Sequence, residues 1–85
     1  MLLTDRPRFV DVVLVQAGRN RTDVIRVLRD VSYDEPTIKQ IELARAVQLA
    51  DSTPCVVIPD VPYEVGERVK AKLEKTGAAA ELKPS

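Results

Sequence analysis

The stretch from Phe9 to Arg29, FVDVVLVQAGRNRTDVIRVLR, admits few folds. Val10, Val12 and Leu14 alternate with Phe9, Asp11, Val13 and Val15, the two-residue period of a strand over Arg8–Val15. Ala17-Gly18-Arg19-Asn20 then breaks the pattern with a glycine that tolerates positive φ and an asparagine suited to cap a helix. Asp23, three residues on, adds a carboxylate near the helix N-terminus. At about 100° per residue Val24, Val27, Leu28 and Val31 fall within one arc of about 100°, an apolar stripe that must be covered. A strand, a tight turn and a helix to about Val31 therefore lay down two packed layers in one stroke.

The other side of that helix is unusual. Arg21, Arg26 and Arg29 occupy it, and Ile25 falls between Arg21 and Arg29. An isoleucine ringed by arginines has the composition of a protein-binding hot spot, a docking knob more than a core residue. The alternative is an ordinary solvated helix face. Charge along the chain is segregated in the same sense. Residues 6–29 carry six arginines against Asp11 and Asp23, residues 30–67 carry eight acids against Lys39 and Arg45, and residues 68–85 carry five bases against Glu74 and Glu81. A chain of zero net charge can thus present a basic face.

The remaining elements follow from spacing. Ser32 to Pro36 ends the first helix, and Asp34 with Pro36 opens a second over Glu35–Ala50. That helix is apolar on two sides, Ile38, Ile41 and Leu49 on one and Leu43, Val47 and Ala50 on the other. Either it is buried between two neighbours, or one side meets a second copy of the chain. Asp51–Pro54 is a loop and Cys55–Ile58 a short buried strand. Asp60 caps a third helix over Val61–Thr76, whose stripe is Val65, Val69 and Leu73, with Gly66 beside it for close approach to the sheet. Gly77 closes that helix, and Ala78–Lys83 alternates as a last strand. Residues 1–7 read as a flexible tail and 8–83 as the folded domain. The order β-α-α-β-α-β predicts an α/β (α+β) two-layer sandwich, three helices on one face of a small three-stranded sheet.

Several functions are excluded by what the chain lacks. There is no histidine and a single cysteine, Cys55, so a Ser-His or Cys-His nucleophile pair cannot form, nor can an intramolecular disulfide. The acids are scattered, with no metal-ligand spacing, and no glycine-rich phosphate loop occurs, so neither metal nor cofactor is expected. No run of about 18 apolar residues exists to span a membrane, and no secretory leader is recognisable, which points to the cytoplasm. Arg19, Arg21, Arg26 and Arg29 could touch phosphates, but no aromatic stacking platform accompanies them; nucleic acid ranks well behind protein as a partner.

The run Ala17-Gly18-Arg19-Asn20-Arg21 and the following Val24-Ile25-Arg26 and Arg29 resemble the C-terminal factor-binding domain of the bacterial ribosomal stalk protein, which shares the ClpS-like fold. That family carries Ala-Gly-x-Asn-Lys and Val-Ile-Lys followed by an Arg, and Arg replaces lysine twice here. Asp11-Val12-Val13-Leu14 and Lys72-Leu73-Glu74-Lys75-Thr76-Gly77-Ala78 extend the likeness over residues 9–32 and 61–83. The resemblance implies a non-enzymatic module that recruits a translational GTPase, with Arg21, Ile25, Arg26 and Arg29 on the contact surface; Arg19 and Thr22, beside them in sequence, complete the expected protein-binding set. From Tyr33 to Asp60 the chain departs from the family: a Gly-Leu-Gly-Leu-Lys-Glu-Ala-Lys segment is absent, and Thr22 stands where an apolar residue is usual. The alternatives are a module like the ClpS-type protease adaptor, whose acidic loop and histidine are not matched here, and a small domain that self-associates through its middle helix as a homodimer.

Overall fold

A computed structural model describes residues 8–85, so the expected tail lies outside the described residues. Six elements follow one another: β1 (Phe9–Gln16), α1 (Arg21–Asp34), α2 (Leu43–Asp51), β2 (Cys55–Pro62), α3 (Tyr63–Lys75) and β3 (Ala79–Pro84). The predicted order β-α-α-β-α-β is the observed one. The sheet is antiparallel with order β2-β1-β3, so the most apolar strand is the central one. Val10, Val12 and Leu14 have no exposed surface and meet Val24, Leu28 and Val31 of α1 and Val65, Val69 and Leu73 of α3 in one core. Gly66 sits where the strand presses closest. A β-carbon there would come within 2.5 Å of a Val10 methyl.

The turn between β1 and α1 is tight for two reasons. Gly18 has φ of +74°, and a β-carbon on it would lie 2.7 Å from the Gly77 carbonyl oxygen. Asn20 precedes α1 but does not cap it with its side chain. Its Nδ2 instead donates to the Thr76 carbonyl at 2.9 Å. The start of α1 is thereby pinned to the end of α3, and Gly77 at φ of +96° closes α3 as expected.

The middle of the chain corrects the sequence reading. The expected helix over Glu35–Ala50 begins only at Leu43, and Asp34 ends α1 instead of capping α2. Pro36 takes the second place of a turn closed by the Ile38 N–H on the Glu35 carbonyl at 3.0 Å. The Ile41 N–H then goes to the Ser32 Oγ at 2.9 Å, not to a carbonyl four residues back. Three β-branched residues, Thr37, Ile38 and Ile41, weaken any helical tendency that remains. Ile38 and Ile41 still reach the core, as does Leu49, whereas Leu43 is exposed and Val47 half-buried.

Strand β2 runs on to Pro62, four residues beyond expectation, and Asp60 caps nothing. Val10 pairs with Val61 and Val12 with Ile58, so Pro59 and Asp60 bulge out opposite Asp11. Asp60 has φ of +53°, and its N–H donates to Asp11 Oδ1 at 2.8 Å. That bond accounts for the lone acid in β1. The open face of the sheet carries Phe9 and Val56, both exposed.

Candidate protein-binding groove

Because α1 continues to Asp34, a second stripe on it becomes long enough to form a wall. Thr22, Ile25, Arg26, Arg29 and Tyr33 recur at the spacing of one helix face. Across from them stands Leu43, the first residue of α2. Together with Asp30 they line an open groove of about 320 Å³. Its apolar parts are Ile25, the exposed Tyr33 ring and the exposed Leu43; its charged rim is Arg26 and Arg29.

Four of the six expected residues, Thr22, Ile25, Arg26 and Arg29, meet here. Ile25 is not a free-standing knob: it is half-buried and packs against the core. Arg29 is half-buried as well, and its Nε is shut away from solvent without a hydrogen-bond partner among the described residues. A buried donor left unpaired costs about 1–3 kcal/mol, so an acceptor supplied from outside would gain correspondingly.

The other two arginines lie elsewhere. Arg21 turns to the end of α2 and grips Asp51 with two bonds, Nε to Oδ1 at 2.7 Å and Nη2 to Oδ2 at 2.8 Å. The hydrogen bonds from Arg21 hold the Asp51 carboxyl below its ordinary value, and Asp51 raises Arg21 in return. Arg19 is exposed in the turn and does not line the groove. Tyr33, Asp30 and Leu43 were not foreseen as site residues. The signal for Tyr33 was present, since it lies four residues after Arg29 and eight after Ile25 on one helical face.

No comparable chemistry centres on the thiol. Cys55 Sγ donates to the Leu49 carbonyl at 3.3 Å, and burial pushes the thiol above its ordinary value, against thiolate formation. Among the described residues no helix is long and apolar enough to cross a membrane, and no group of three metal-ligating side chains comes together.

The family model of the ribosomal protein L7/L12 C-terminal domain matches residues 10–83. The large ribosomal subunit protein bL12 of Aquifex aeolicus is 37% identical over 73 residues, covering 86% of this chain and 52% of that protein. Its counterpart in Bacillus cytotoxicus is 38% identical over the same length, covering 86% of this chain and 56% of its own. The chain therefore spans about half the length of the curated relatives it matches. On the strength of the family match across all six elements, the chain belongs to the ribosomal protein L7/L12 C-terminal domain family.

Proposed function

We propose that this chain is a non-enzymatic, cytoplasmic protein-binding module of bacterial translation, whose α1–α2 groove receives a translational GTPase. The observation that carries this reading is the groove itself: an apolar floor of Ile25, Tyr33 and Leu43 beside two arginines, one with a buried unpaired Nε. A partner helix with a large apolar side chain and flanking carboxylates fits such a surface, because arginine fork and carboxylate pair in two parallel bonds. The relatives' name, large ribosomal subunit protein, supports the setting. In this role Thr22, Ile25, Arg26 and Arg29 make the contact, while Arg21 braces α2.

The test is calorimetric titration with a purified elongation-factor GTPase held in its GTP-analogue form. Arg26→Glu and Ile25→Ala each weaken binding about tenfold or more, equivalent to about 1.4 kcal/mol. Failure of the unaltered chain to bind such factors, or equal binding by Arg26→Glu, would overturn the assignment.

A further inference from the structure

On the far side of α2 lies a second groove that the proposed function leaves unused. Leu43 and Arg45 are about 200° apart around a helix, so α2 separates the two grooves. The second has a volume of about 390 Å³ and runs between the non-helical residues 37–41 and β2 at residues 57–60. Its floor is apolar: Ile38, Ile41 and Leu49 on one side, Val57 and Ile58 on the other.

Two properties of its walls point to a ligand class. First, β2 is an edge strand; it pairs with β1 on one side, and among the described residues no strand pairs with the other. Free N–H and carbonyl groups along such an edge are a template for a further strand. Pro59 lacks an N–H, which confines that template to about four residues, Cys55–Ile58, of which Val57 and Ile58 line the groove and Cys55 and Val56 continue beyond its end. Second, Lys39 and Arg45, the two bases of an acid-rich stretch, both line this groove. Both are exposed, and neither has a carboxylate partner among the described residues. The acid on the lining, Asp60, already accepts a bond from Ser85 Oγ at 2.8 Å. A local inversion of charge over an apolar floor admits acidic partners and rejects basic ones.

We infer that this groove takes an extended, acidic polypeptide segment, which adds as a short strand to the free edge of β2 and sets its carboxylates against Lys39 and Arg45. Alternate apolar side chains of the segment enter the floor, and the acidic ones between them face the rim.

The experiment is an NMR titration of the ¹⁵N-labelled chain with a capped Glu-Val-Asp-Val-Glu-Val peptide and with its lysine counterpart. The acidic peptide shifts the amides of Lys39, Arg45, Val56 and Ile58, and the basic peptide does not. A Lys39→Glu/Arg45→Glu variant keeps its spectral dispersion and binds about tenfold more weakly or worse, whereas Arg26→Glu in the first groove binds the peptide as before. Absence of binding, shifts confined to the α1 groove, equal binding of the basic peptide, or indifference to the double change would each overturn the inference. So would full affinity of a peptide N-methylated along its pairing edge, which rules out strand addition. A mass doubling by light scattering without peptide, lost in the double variant, would make a second copy the occupant instead.

Discussion

Two segments flank α1, and they are fastened by different physics. Ala17–Asn20 is held against the backbone that closes α3: Gly18 lies against the Gly77 carbonyl, and the Asn20 side chain donates to the carbonyl of Thr76. Residues 35–42 are held by side chains: Ile38 and Ile41 are buried, Ser32 accepts the Ile41 N–H, and Glu35 pairs with Arg68 of α3 at 2.8 Å. The Gly18 contact leaves no latitude in residue type, whereas burial and a hydroxyl can be supplied in several ways. The first fixes where α1 points, and so where Arg26 and Arg29 stand. The second sets how far Leu43 lies from them.

The sharpest way to break this contrast is Gly18→Ala. The new methyl meets a backbone oxygen that cannot swing aside, and the residue must still hold positive φ. Strain and overpacking together destabilise by about 2–4 kcal/mol in denaturant unfolding. Gly77→Ala is the control. Its β-carbon meets nothing within 4 Å, so only the positive φ is penalised, at about 1 kcal/mol. Equal losses for the two would mean that the clamp between the turn and α3 does not exist.

That contrast also explains what was legible. The strand, turn and helix of residues 9–31 could be read because each feature rests on its own residues: alternation in β1, Gly18 in the turn, the stripe Val24, Leu28 and Val31. Gly66 was legible for the same reason, as a gap in an apolar row. The segment after Asp34 was not. Pro36 and the spacing of Ile38 and Ile41 satisfy a helix pattern, but the decisive bond comes from Ser32, nine residues before Ile41. Asp60 misled likewise, since its role depends on Asp11 across the sheet and on Ser85. Thr22, Ile25, Arg26 and Arg29 share the groove because helical spacing places them together. Arg21 could not be assigned without knowing that Asp51 comes within reach.

Ser32→Ala tests the side-chain fastening. It leaves the buried Ile41 N–H without its acceptor, which destabilises by about 1–3 kcal/mol. Hydrogen exchange separates this from a general loss. The Ile41 amide should speed up more than those of Val12 or Leu14 in β1, which open only with the whole fold. Uniform acceleration would show that residues 35–42 share the stability of the sheet and are no looser than the turn before α1.

The smallest effect belongs to the far end of α2, where Arg21 holds Asp51. Both side chains are about half exposed, so water and salt screen the pair and its share of stability is slight. Its sign is nevertheless fixed. The Arg21 bonds hold the folded Asp51 carboxyl below its ordinary value of 3.8. The contribution is therefore complete above that ordinary value and is lost as pH falls below it through the folded-state value. A carboxyl ¹³C titration should find Asp51 depressed in the unaltered chain and close to ordinary in Arg21→Gln. If the change leaves Asp51 where it was, the pair is not formed in solution. Arg21 would then be free to join Arg26 and Arg29 at the groove, and GTPase binding would fall in Arg21→Gln. With the pair intact, the same substitution spares binding and loosens only α2.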